Sequence, residues 1–400
     1  MHRFAGVIAA LLLTTGQAAF AQPYGPGVTD TEIKIGNTMP YSGPASALGI
    51  TGKVIAAYLD MINEKGGVNG RKLNMISLDD AFSPPKTVEA ARRLVEGDGV
   101  SFIFATMGTA PSSAIAKYLN TNKVPQLFLI SSASKWNDQK TMPWSIALPW
   151  APNYVEEARI NLRYARAKNP NARVAILYQN DDAGKDYMRG VREELGADYD
   201  KTVAMASSFE VTDPTVDSQV LTLANTKADV FLIYAVTPRA CAQAVRKSAE
   251  IGWKPLRFLA SGCANRDTVM VPAGVDNAKG VLSVGALKPH NSDSADTGMA
   301  AYNALMKERL PNADRTNLAA IYGYTVAQAL VIVIEQCKND LTRENIMAQA
   351  TQMKNVTLPL FLPGISLNTS PTDYRPFKDG YMIEFNGEEW KVISELLRGS

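Results

Sequence analysis

Chemistry in this chain is sought first where hydroxyls, glycine and small residues cluster. Thr106-Met107-Gly108-Thr109 runs into Ala110-Pro111-Ser112-Ser113, and Ser131-Ser132-Ala133-Ser134 follows a later apolar run. Gly108 leaves room for close backbone approach, and Pro111 suits a first helical turn. Two such loops side by side offer hydroxyl and N–H donors to a carboxylate without a buried cation. Either loop alone is explained by capping of the helix that follows it. Only the pair points to a carboxylate site.

Other chemistries lack their residues. Neither phosphate-binding glycine loop, G-x-G-x-x-G or G-x-x-x-x-G-K-[ST], occurs, and the nucleophile elbow G-x-S-x-G and the zinc motif H-E-x-x-H are missing too. The carboxylate pairs Asp79-Asp80 and Asp181-Asp182 read as helix caps and solvated strand ends. His2 and His290 are the only histidines, which removes the commonest general base and metal ligand from most positions. No cofactor, no metal and no catalysis are expected.

Met1 to Ala21 reads as a cleaved export signal: Arg3 at the positive end, Val7 to Leu13 apolar, and Ala19-Phe20-Ala21 at the cut. Its apolar run is well short of the roughly 20 residues that span a bilayer, and no later window is expected to reach that length. A periplasmic location follows. The 379 residues after it suffice for two domains and carry 40 basic against 39 acidic side chains. That balance argues against nucleic acid as a partner. Cys241, Cys263 and Cys337 enter a compartment that permits disulfides. A bond between Cys241 and Cys263 and buried free thiols stay open alternatives.

Short apolar runs alternate with helical periodicity, the pattern of an α/β fold with a mostly parallel sheet. Strands are expected at 33–35, 73–78, 102–105 and 126–130, separated by helices at 45–65, 85–96 and 112–120. Three prolines, Pro143, Pro149 and Pro152, break the rhythm where the chain crosses between domains. A second series follows. It has strands at 174–178, 203–209, 230–234, 258–260 and 281–284 and helices at 154–167, 184–195, 218–225 and 239–251. Helices at 297–308, 318–336 and 343–353, the last capped by Thr342, precede a hairpin turning at Asn386-Gly387.

In such sheets ligands collect outside the carboxyl ends of the strands. Together with further motifs, these loops carry a family resemblance. Tyr41-Ser42-Gly43-Pro44, Ile62-Asn63-x-x-Gly66-Gly67-Val68-x-Gly70, Leu78-Asp79-Asp80, Thr109-Ala-Pro111, Tyr178-x-Asn180-Asp181-x-x-Gly184 and Ser370-Pro371-Thr372-Asp373-Tyr374 stand in order along nearly the whole chain. The set resembles the leucine/isoleucine/valine-binding type of periplasmic protein. The resemblance implies two Rossmann-like lobes, the type I periplasmic binding protein fold, joined by three crossovers near Leu148, Leu287 and Leu362. Lobe 1 would hold residues 22–148 and 288–362, and lobe 2 residues 149–287 and 363–400. A hinge would close the lobes over a small-molecule carboxylate, and a monomer would hand it to the permease of an ABC importer.

The resemblance also implies where the ligand is held. One lobe supplies Thr106, Met107, Gly108, Thr109, Ser132, Ala133 and Ser134; the other supplies Ala183, Tyr234, Thr237 and Gly262; Leu48, Tyr322 and Tyr324 wall the pocket. Two positions depart from the amino-acid-binding pattern: Ala183 stands where a Tyr is usual, and Gly262 where an acidic residue meets the ligand's ammonium group. A slip of register would instead offer Asp267. A buried ammonium without a counter-charge is costly. The departures favour an apolar carboxylate, such as an aromatic acid stacked on Trp136, Trp150, Tyr322 or Tyr324. Branched-chain amino acids, a ligand-sensing ectodomain and a cleft enzyme are the alternatives.

Overall fold

The structure is a computed structural model that describes residues 24–290 and 295–400. The expected signal, 1–21, lies outside the described residues. Two sheets organise the chain. The first is wholly parallel, in the order β2-β1-β3-β4-β5, from β1 (Glu32–Met39), β2 (Lys72–Asp79), β3 (Phe102–Phe104), β4 (Gln126–Leu129) and β5 (Ser145–Ala147). The last of these falls in the proline-rich stretch, where no strand was expected. It pairs because Gln126 N–H reaches the Trp144 carbonyl at 2.7 Å and Asn120 ties down the Trp144 N–H at 2.8 Å.

The second sheet has seven strands in the order β12-β11-β10-β9-β8-β6-β7. β6 (Val174–Gln179), β7 (Val203–Phe209), β8 (Val230–Tyr234), β9 (Leu256–Leu259) and β10 (Leu282–Gly285) run parallel. β11 (Gly380–Phe385) and β12 (Trp390–Leu397) add an antiparallel hairpin at one edge. Its turn is held by Asn386, whose side-chain oxygen accepts from the N–H groups of Glu388 and Glu389 at 2.8 and 2.9 Å.

Burial on both faces explains the uninterrupted apolar strands. Along β8, Val230, Leu232 and Tyr234 pack towards the helices Tyr154–Lys168 and Asp182–Leu195. Phe231 and Ile233 alternate onto the opposite face, against Asp217–Ala224 and Pro238–Glu250. The first sheet is covered likewise: Pro84–Arg92 and Thr109–Thr121 lie on one face, and Ile50–Glu64, Thr297–Arg309 and Leu318–Cys337 on the other.

Leu318–Cys337 corrects one expectation. Its 20 residues are long and apolar enough to cross a membrane, yet 78% of that apolar window is buried inside the protein. It is the central helix of a core, apolar all round because it is packed all round.

The cysteine alternatives also separate. Cys241, on helix Pro238–Glu250, is joined to Cys263 in the loop after β9, with Cα atoms 6.3 Å apart. Cys337 is free and buried.

The chain passes between the sheets three times. Residues 148–153 lead from β5 into helix Tyr154–Lys168, and Asn153 opens that helix with a capping box shared with Glu156. The second and third passages lie antiparallel: Lys288 N–H donates to Leu360 O and Leu362 N–H to Ala286 O, each at 2.8 Å. Tyr322, fully buried, donates its hydroxyl to the Leu148 carbonyl of the first passage.

Candidate functional site

The hydroxyl loops stand at the carboxyl ends of β3 and β4. Gly108, at φ 97°, turns the chain into helix Thr109–Thr121, and a Cβ there would lie 2.3 Å from the Phe82 ring. Only glycine fits. Thr106 is fully buried and accepts from the Thr38 hydroxyl at 3.2 Å. Met107 is buried and bridges to Ile130 of the neighbouring loop. Thr109 Oγ1 lies 2.8 Å from Ser131 Oγ and 3.4 Å from the Tyr154 hydroxyl. The loops are therefore adjacent, and Ser131 binds them together by also accepting from Trp136 Nε1 and Ala133 N–H.

Ser134 faces the other way. Its N–H donates to Asp186 Oδ2 at 2.6 Å and its hydroxyl to Asp186 Oδ1 at 3.0 Å, on the helix Asp182–Leu195 that follows β6. The donors expected to hold a ligand carboxylate thus already hold a carboxylate of the protein. Ser132 and Ala133 are buried, with the Ser132 carbonyl accepting from Tyr154 N–H at 2.9 Å.

On the facing side, Ala183 is fully buried in the first turn of its helix, where Asp181 caps Ala183 and Gly184 N–H at 2.9 and 3.1 Å. Asp79 likewise gathers the N–H groups of Tyr41, Ser42 and Ala81. The first member of each expected cap pair is thus engaged with backbone. Tyr234 is fully buried and stacks on Tyr187 at 4.1 Å and 7°. Thr237 precedes helix Pro238–Glu250 and is buried. Tyr324 meets Tyr58 and Tyr302 edge-on inside the first core, and Leu48 packs in that same core.

Gly262 has a physical reason to be glycine. A Cβ there would stand 3.1 Å from Trp150 Cζ2, so any larger residue would press on the indole. Trp150 in turn meets Tyr322 edge-on at 5.1 Å. The indole borders a cavity of about 390 Å³ between the second sheet and helix Leu318–Cys337 of the first core. Its apolar wall is Trp150, Val284, Leu287, Leu318, Ile321, Ile383 and Trp390; its polar rim is Ser261, Arg266, Asp267, His290, Asp314, Thr316, Glu388 and Glu389.

Of the residues expected to bind ligand, only Trp150, offered for stacking, and Asp267, offered by a slip of register, line this cavity. Gly262 and Tyr322 border it through their neighbours Ser261 and Ile321 and through Trp150. Asp267 is paired with Arg266 at 2.5 Å. Asp314 Oδ1 accepts from the N–H and hydroxyl of Thr316, both at 2.8 Å, while Oδ2 is buried with no partner among the described residues. Burial raises the Asp314 carboxyl, the Thr316 bonds pull it down, and the neighbouring Asp267 carboxyl pushes it up again. Sequence reasoning missed Asp314 and Trp390 because they come from a helix-leading loop and the antiparallel terminal hairpin, not from loops that follow parallel strands.

Beneath the cavity wall, Glu157 is fully buried. Its carboxylate accepts from Ser261 N–H at 2.7 Å, Ser261 Oγ at 2.8 Å and the Tyr187 hydroxyl at 2.9 Å. Burial pushes its pKa up to about 7, against these bonds.

With the paired sheets, three passages and interlobe cavity in view, comparison with known proteins is decisive. The periplasmic binding protein pattern matches residues 32–389. The chain belongs to the periplasmic binding protein family. A Leu/Ile/Val-binding protein homolog 7 from Brucella suis is 24% identical over 244 residues, 60% of each chain. The match thus spans about three fifths of that relative's length. A Leu/Ile/Val-binding protein from Citrobacter freundii is 25% identical over 283 residues, covering 70% of this chain and 73% of that one.

Among solved structures, a branched-chain amino acid ABC transporter protein from Thermus thermophilus with bound valine superposes with a TM-score of 0.81. It has 14% identity and covers 93% of this chain and 97% of its own. A fatty acid ABC transporter substrate-binding protein from Thermomonospora curvata gives 0.78 at 20% identity, covering 94% of each chain. These likenesses establish the two-lobed type I periplasmic binding protein fold.

Proposed function

We propose that this protein is the exported solute receptor of an ABC importer. It captures a small apolar carboxylate between its lobes and presents the closed form to a membrane permease. The lobes divide at the three passages, as residues 22–148 with 288–362 and 149–287 with 363–400. The observation that carries the reading is the cavity of about 390 Å³ whose apolar walls come from the second sheet and from helix Leu318–Cys337 of the first core. Its size and lining are those of small-molecule sites. Names of relatives and structural neighbours, which include amino acid and fatty acid binders, agree with a solute of this kind.

Trp150 offers a flat face to an aromatic acid, and Gly262 leaves no acidic side chain on that side of it. A second reading, branched-chain amino acids, is favoured by one observation: the Asp267 and Asp314 carboxyl groups stand together on the cavity rim, as a counter-charge for an ammonium group would. A thermal-shift panel of leucine, isoleucine and valine against benzoate- and cinnamate-type acids separates them. A solute at about 100 times its Kd stabilises by roughly 2.7 kcal/mol. A shift with benzoate or cinnamate supports the first reading; a shift confined to the amino acids, and lost in Asp314→Asn, replaces it with the second. No shift with any member of the panel overturns both.

A further inference from the structure

Helix Asp182–Leu195 presents Asp182 and Asp186 four residues apart, on one face. That face meets the loop after β4 across the gap between the two sheets. Asp186 takes both donors of Ser134, and Asp182 Oδ2 lies 2.9 Å from Lys135 Nζ. Lys135 is steadied from behind by Ser113 Oγ at 3.0 Å, on a helix of its own sheet. Arg189, one turn beyond Asp186, ion-pairs with that carboxylate at 3.0 Å and also donates to Ser134 Oγ.

We infer that Asp186 and Asp182 form a latch with Ser134 and Lys135 that holds the lobes closed before any solute arrives. In it the Asp186 carboxylate sits on the donors of Ser134 in place of a free carboxylate. The two halves of the latch are unequal. Both partners of the Lys135–Asp182 pair are substantially exposed, and such pairs contribute little. Asp186 is 15% exposed and accepts two hydrogen bonds from Ser134 across the gap, so it carries most of the hold. Closure without solute lets the cavity be shaped in advance. It also means that a carboxylate binding at Ser134 must first displace Asp186. Ser134 stands apart from the cavity, so neither the latch nor this position rests on the solute proposed for it.

Small-angle X-ray scattering of the full chain, dialysed free of solute, tests the latch without knowledge of the ligand. The wild type is expected to scatter as the closed form. Asp186→Ala should shift to a larger radius of gyration, Lys135→Ala should shift less, and the melting cooperativity of each variant checks that it is folded. Equal radii for wild type and Asp186→Ala, whether both compact or both extended, overturn the latch.

Sodium acetate then probes the vacated position. Added to Asp186→Ala, it should restore the compact form, whereas sodium chloride at the same ionic strength should not. It should also fail in Asp186→Ala/Ser134→Ala. Expansion of Asp186→Ala without acetate rescue keeps the latch and overturns the claim that the position accepts a free carboxylate. Neither result depends on the thermal-shift panel, so failure of the solute reading is told apart.

Discussion

Glu157 shows how one buried side chain ties pH to the wall of the cavity. In the unfolded chain its carboxyl titrates near 4.5, and in the folded protein burial lifts it to about 7. The folded state therefore binds the proton more tightly. The resulting stabilisation is present in full below about pH 4.5, declines as pH rises, and is gone above about 7. Glu157→Gln keeps the shape, and the hydroxyls of Ser261 and Tyr187 can turn to accept from the amide. The variant should therefore gain on wild type across that window, by about 3 kcal/mol at pH 8, since each pKa unit corresponds to about 1.4 kcal/mol. Denaturant unfolding at pH 4.5, 6 and 8 measures the gap; a gap that does not grow with pH refutes this account. Nothing in the sequence marks Glu157 for this role, because its partner Ser261 lies far along the chain. Gly262 was legible as a departure from pattern, but its cause, the Trp150 ring packed over it, required the tertiary structure.

Elements were legible in proportion to how much burial their residues declare. β6 and β8 are uninterrupted apolar runs, and uninterrupted runs are what a sheet covered on both faces demands. β5 is three residues between prolines, too short to carry a pattern, and exists because neighbours bind its backbone. Helix Thr109–Thr121 begins three residues before the expected Ser112, since Gly108 rather than Pro111 ends the loop. The disulfide was one of two open alternatives, as pairing cannot be read from cysteine positions. It fastens helix Pro238–Glu250 to the loop carrying Ser261 and Ala264, two residues of the cavity wall. Closing a loop with a sequence separation of 22 restricts the unfolded chain by about 3 kcal/mol. The double variant Cys241→Ser/Cys263→Ser should lose about that much in denaturant unfolding. It should also bind solute more weakly, because the loop over Glu157 is freed. Unchanged stability would mean that packing alone holds the helix to the loop.

At the scale of the whole molecule, closure requires the three passages to bend while the sheets stay rigid. Two of the passages brace each other through the backbone pairing of Leu287 with Phe361, which resists twisting but leaves a shared axis. The first passage is fastened at Leu148, whose N–H donates to the Leu129 carbonyl at 3.1 Å and whose carbonyl accepts the Tyr322 hydroxyl. Tyr322 belongs to the central helix of the first core, so this bond anchors the moving link to a largely buried helix. Tyr322→Phe conserves the ring against Trp150 and removes only the donor. Leaving a buried carbonyl unpaired costs about 1–3 kcal/mol. The variant should therefore melt lower by that amount, and its solute-free scattering should report a wider spread of lobe separations than wild type. The same loss of stability with an unchanged spread would place Tyr322 in the core alone and leave the hinge to the braced pair of passages.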